Sequence, residues 1–201
     1  MARAASTDPL RNFKFRVSFD GNDSINTSGL STLGFSVVSG LVVQNEMIAY
    51  REGGMNTHPH KMVGQSDFGP VTFTKGVFAD QDQMYNWQQF IHSWNGGANP
   101  GSTNSNNDYR CDITVRVMDH PITQSVNYSQ PGDINATTSP DSKVKLAYRL
   151  YNCWPASLSF GDLSAGDSSI LIQQMVVNHE GFEVVWADSA GGEADADSLS
   201  N

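Results

Sequence analysis

Residues 12–19, NFKFRVSF, put Phe13, Phe15, Val17 and Phe19 on one side of an extended chain and Lys14, Arg16 and Ser18 on the other. Side chains alternate between faces only in a strand, so this stretch fits a strand with one buried face and fits a helix poorly. The same period returns in CDITVRV (111–117), with Cys111, Ile113, Val115 and Val117 apolar, and in VKLAYRL (144–150), with Val144, Leu146, Tyr148 and Leu150. Other strand-like runs are FSVVSGLVV (35–43), EMIAYRE (46–52), VTFTKGVF (71–78), SLSFG (157–161), SSILIQQMVVNH (168–179) and FEVVWA (182–187). Gln44 and Asn45 read as the joint of a hairpin, or a bulge, between 35–43 and 46–52. Glu180 and Gly181 read as a tight turn that pairs the last two runs with each other.

One segment has another period. In DQDQMYNWQQFIHSW (80–94), Met84, Trp87, Ile91 and Trp94 form a helical stripe, the only one in the chain. Asp80 is the expected N-cap, Gln83 its capping-box partner, and Gly96 with Gly97 the stop. Residues 21–34 read as turns, while 98–109 and 120–143 read as flexible loops and 188–201 as an acidic, disordered tail. The fold expected from the residues is mainly β: about eight strands in a sandwich or barrel with one packed helix. Residues 1–187 form its single domain.

Twelve basic against twenty-one acidic residues give a net charge of −9, which excludes a surface built to coat DNA or an anionic membrane. No run approaches the ~20 apolar residues of a membrane span, and the start lacks a secretory apolar core, so a soluble chain made in the cytoplasm and not inserted in a membrane is expected. Cys111 and Cys153 have no metal spacing and read as buried reduced thiols. His58 and His60 flank Pro59 and suggest a metal site, yet supply two ligands where a catalytic zinc needs three. No nucleophile elbow or phosphate loop is present. Tyr85, Trp87, Phe90 and Trp94 could form a sugar-binding platform, but their helical spacing favours the core.

The punctuation between strands resembles a family, the T4-like tail tube proteins of contractile phages and related injection systems. The resemblance runs from DPLRNFKFRVSF through FSVVSGLVVQNEMIAYREGG and VTFTKGVF to the Trp-bearing helix, YNCWP and LSAGDSSILIQQMVVNHEGF, in the family's order. It implies two packed antiparallel sheets with one flanking α-helix and an extended β-hairpin, in subunits that form hexameric rings. The rings would stack into a tube whose bore is a continuous β-barrel, with no active site and no cofactor. Implied partners are other copies of the chain, a contractile sheath protein, baseplate and tail terminator proteins, and in the lumen a tape measure protein followed by DNA or protein cargo. The implied location is the virion.

On this reading Glu46, Tyr50, Arg51, Glu52, Gly53, Gly54, His58 and His60 belong to a hairpin that contacts neighbouring subunits, its two glycines allowing a sharp reversal. Asp112, Thr114, Arg116 and Lys145 are outward polar positions that could line the bore. Residues 98–109, 120–143 and 188–201 depart from the family pattern. Three alternatives stay open: an extracellular contractile injection system carrying protein, a carbohydrate-binding β-sandwich, and a metal hydrolase using His58 and His60.

Overall fold

The first alternation becomes strand β1 (Phe15–Asp20), with Val17 and Phe19 buried, in a computed structural model describing residues 10–20, 25, 27–54, 57–94, 109–118, 144–166 and 168–186. It is followed by α1 (Thr27–Ser31), β2 (Val37–Ser39), β3 (Val43–Tyr50), β4 (His60–Phe68), β5 (Val71–Gly76), α2 (Gln83–Trp94), β6 (Cys111–Met118), β7 (Val144–Phe160), β8 (Ile172–Asn178) and β9 (Gly181–Trp186). The expected glycine stop at 96–97, both long loops up to residue 108 and over 120–143, and the tail 188–201 lie outside the described residues.

All strand pairs are antiparallel. One path runs β1-β6-β7-β8-β5-β2, β9 pairs with β7, and β3 pairs only with β4. The expected β8–β9 hairpin does not form. β9 lies against Leu146–Tyr151 of β7, and β8 lies against Trp154–Phe160. The register carries through from Leu146 opposite Trp186 to Pro155 opposite Val177, so β8 and β9 act as one strand along one side of β7. Glu180 does not reverse the chain: its N–H donates to the Tyr151 carbonyl at 3.1 Å. The runs 144–150 and 157–161 are likewise one strand of 17 residues.

Asn152 sits midway along that strand at a φ of 51°, a left-handed conformation that asparagine tolerates. Its N–H donates to Asp112 Oδ1 at 3.0 Å and its Nδ2 to Glu180 Oε2 at 2.6 Å. Register shifts at Cys111/Ile113 and Pro155/Ser157 flank it, and such bulges bend and twist a strand. The β1-β6-β7-β9 sheet and the β7-β8-β5-β2 sheet therefore share a strand and pack on one core. Phe19 of β1 lies 6.3 Å from Phe73 of β5, ring to ring, and Phe35 and Trp87 complete the cluster.

α2 places Met84 and Trp87 on this core, as the stripe predicts. The Asp82 carbonyl accepts from Asn86 N–H at 2.9 Å, so Asp82, not Asp80, opens the helix. Gln83 is then the first helical residue, and its Oε1 is buried without a hydrogen-bond partner among the described residues. Residues 21–34 are also more than turns. α1 buries Leu30, but five residues are too few to display a helical stripe.

In β5 the buried row is Val71, Phe73 and Lys75. Lys75 Nζ donates to Gln81 Oε1 at 2.7 Å and lies 5.8 Å from the Phe78 ring, tying the turn before α2 to the sheet. Burial pushes its pKa down.

Candidate functional site

The β3–β4 hairpin stands apart from the core. Every residue of β3 is exposed, and so is most of β4. Gln44 and Asn45, expected to join two strands, lie inside β3, where a register shift falls between Asn45 and Met47. Gly64 faces that shift, and a Cβ there would approach the Glu46 carbonyl oxygen to 3.0 Å. The joint is the stretch 51–59, beginning with Arg51, Glu52, Gly53 and Gly54. Of the two glycines only Gly54 has a positive φ, 95°.

His60 is not in a loop: it opens β4 opposite Tyr50. Glu46, Ile48 and Tyr50 share one face of the ribbon with Met62 and His60, while Met47 and Ala49 share the other with Val63 and Lys61. Each face thus carries an exposed apolar pair, Ile48 with Met62 and Met47 with Val63. A two-stranded ribbon in water is marginal, and this one has no third strand among the described residues.

His58 and His60 have ring centroids 6.4 Å apart, and Thr57 Oγ1 lies 3.0 Å from His58 Nδ1. Among the described residues no third histidine, cysteine or carboxylate joins them in a metal-binding group.

The second surface is the face of the β1-β6-β7-β9 sheet turned away from the core. Asp112, Arg116 and Lys145 belong to it, joined by Arg16, Ser18 and Asp20 of β1, Arg149 of β7 and Glu183 of β9. Asp112 accepts from Arg149 Nη2 at 3.3 Å, Arg116 Nη1 donates to Ser18 Oγ at 2.6 Å, and Tyr151 O–H donates to Glu183 Oε2 at 2.9 Å. Burial, with Glu183 second, pushes the Tyr151 phenol up. Thr114 is on this face too, yet it is buried, with Oγ1 3.4 Å from Asp20 Oδ2. The alternation of 12–19 and 144–150 already signalled Arg16, Ser18 and Arg149, which the sequence reading left unassigned.

Trp87 is buried in the core, and its Nε1 donates to the Tyr109 carbonyl at 3.1 Å, which removes it from any sugar platform. Cys111 and Cys153 are buried directly opposite one another across β6 and β7, and burial pushes the Cys153 thiol far up, suppressing thiolate chemistry. Among the described residues no helix is long and apolar enough to cross a membrane.

A family model described as T4-like virus tail tube protein gp19 matches residues 11–183. No match is found among curated proteins. Among solved structures, the fold is similar to a chain of the PVC sheath-tube complex of an extracellular contractile injection system in its extended state. That chain is 21% identical, with 91% of this chain and 95% of that chain covered and a TM-score of 0.61. A chain of the anti-feeding prophage tube terminating cap is 22% identical over 93% of this chain and 100% of that chain, TM-score 0.61. A chain of the six-fold symmetrised anti-feeding prophage baseplate is 17% identical over 91% and 99%, TM-score 0.64.

Proposed function

This chain belongs to the T4-like virus tail tube protein family, and from that membership we propose that it is a structural, non-catalytic subunit whose hexameric rings stack into the hollow inner tube of a contractile phage tail. The observation that carries this reading is the β3–β4 hairpin, a two-stranded ribbon exposed on both faces and apolar on both. Covering such a side chain yields about 1.5–3 kcal/mol, so a neighbouring subunit is the natural source of the ribbon's stability. Glu46, Tyr50 and His60 then lie on one contact face, with Arg51, Glu52, Gly53 and Gly54 near the tip and His58 just before the return strand.

The polar sheet face carrying Asp112, Arg116 and Lys145 lines the bore, with Thr114 beneath its surface. A chain of net charge −9 supplies a wall to which DNA does not adhere. The sheath protein, baseplate, tube terminator and a tape measure protein are the partners, and the assembled virion is the location. Residues 1–187 form the tube body and 188–201 an appendage. The likeness in fold to injection-system chains supports an alternative, an extracellular injection system delivering protein. Electron microscopy of the purified chain and of particles containing it tests the reading: hollow six-fold rings or tubes are expected. A chain that stays monomeric at every concentration and occurs in no particle would refute it. DNA or protein inside the particle separates the two settings.

A further inference from the structure

The strands β1, β6, β7 and β9 form a four-stranded run whose outer edges, β1 on one side and β9 on the other, have no strand partner among the described residues. Adjacent strands alternate in direction, so β9 is antiparallel to β1. The main-chain groups on the two edges can be identified. Met118 N–H donates to the Lys14 carbonyl at 3.0 Å, so even-numbered residues at this side of β1 point toward β6. Phe15, Val17 and Phe19 therefore present theirs at the open edge, and Phe19 N–H indeed donates to Ser31 Oγ at 2.8 Å instead of to a strand. Following the alternation across β6 and β7 turns Gly181, Glu183 and Val185 toward β7, which leaves Phe182, Val184 and Trp186 at the open edge of β9. The Glu180 N–H to Tyr151 carbonyl bond agrees with this count. On both edges the open positions carry their side chains on the core face.

We propose, resting on the ring reading above, that β1 of one copy pairs antiparallel with β9 of the next, with Val17 opposite Phe182 and Phe15 opposite Val184. Three features select this register. Phe13 and Trp186, exposed at 62% and 65% on opposite sides of the same sheet, come opposite each other and cover one another. On the polar face Arg16 comes opposite Glu183, both exposed, as a cross-strand pair of opposite charge. At the far end Phe19, occupied by Ser31, meets Glu180, whose N–H is already used, so both edges stop at the same step. Sliding by two residues keeps the faces matched, but sets Arg16 against Gly181 or Val185 and parts the two aromatics. The contact is head-to-tail, the kind that generates a ring when the rotation closes. Ser31 is the stop that limits the pairing.

A charge reversal tests the register. Arg16→Glu and Glu183→Arg alone should each lower ring yield roughly tenfold at an unchanged denaturation midpoint, and the double variant should restore it to within roughly twofold of the original. As a second readout, oxidation of the chain carrying Phe15→Cys and Val184→Cys should cross-link neighbouring copies, because directly opposed strand positions lie within disulfide reach. Rings from the unaltered chain, with no rescue in the double variant and no cross-link, would overturn the register and leave the tube reading standing. An unaltered chain that forms no rings overturns both.

Discussion

Gly40 controls where the hairpin leaves the body of the protein. Its φ is 95°, and a Cβ there would lie 2.3 Å from the Pro70 carbonyl oxygen, while Gly69 N–H donates to the Val42 carbonyl at 3.1 Å. The crossing from β2 into β3 thus passes directly over the point where β4 returns to β5. Gly40→Ala should lower the unfolding free energy by about 2–4 kcal/mol, through backbone strain and the steric conflict together. Gly53→Ala should stay within about 0.5 kcal/mol, since its Cβ would meet nothing within 4 Å. Urea denaturation of the two variants checks this, and equal midpoints would mean that the root is not fixed as described. A glycine interrupting a strand pattern is a signal of close backbone approach, so Gly40 was legible in VSGL in principle. Lys75 was legible in position but not in environment. The alternation of VTFTKG puts it on the buried row, and its charge argues against the burial that the aliphatic stem and Gln81 make possible.

The hairpin gives a prediction at the level of the element. Ile48→Asp and Val63→Asp lie on opposite faces of the ribbon and touch no core cluster, so each should change monomer stability by less than about 1 kcal/mol. Both should block assembly, because each puts a charge where an apolar pair must be covered. Sedimentation beside thermal unfolding measures the two effects separately. Assembly lost in only one variant would mean that a single face of the ribbon is covered. β3 was legible in sequence because Met47, Ile48, Ala49 and Tyr50 are apolar enough to suggest a strand. β4 was not, because HKMVGQSDF has no face buried within its own chain, and period-two alternation records burial. The contact residues were found only as the punctuation of a familiar hairpin, and the apolar Met62 and Val63 were passed over.

At the scale of the molecule, the acidic excess sets how rings meet. With a net charge of −9 on each chain, stacked rings repel, and the Debye length falls from about 30 Å at 0.01 M salt to about 8 Å at 0.15 M. Tubes should therefore lengthen over that range in electron micrographs. Shortening would mean that attractive charge contacts between rings dominate. The β class and the packed helix could be read from periodicity, because one buried face imposes alternation on each strand in turn. Connectivity could not. Pro155 and the Glu180–Gly181 pair look like breaks, since proline removes a ladder donor and glycine favours turns, yet β7 passes through the first and the β8–β9 line passes the second. That uninterrupted strand has a mechanical meaning. The two sheets are joined by main chain as well as by packed side chains, so a force reaching one of them is transmitted to the other through covalent bonds. A subunit built this way moves as a single stiff part, which suits a tube that must be driven forward without crumpling.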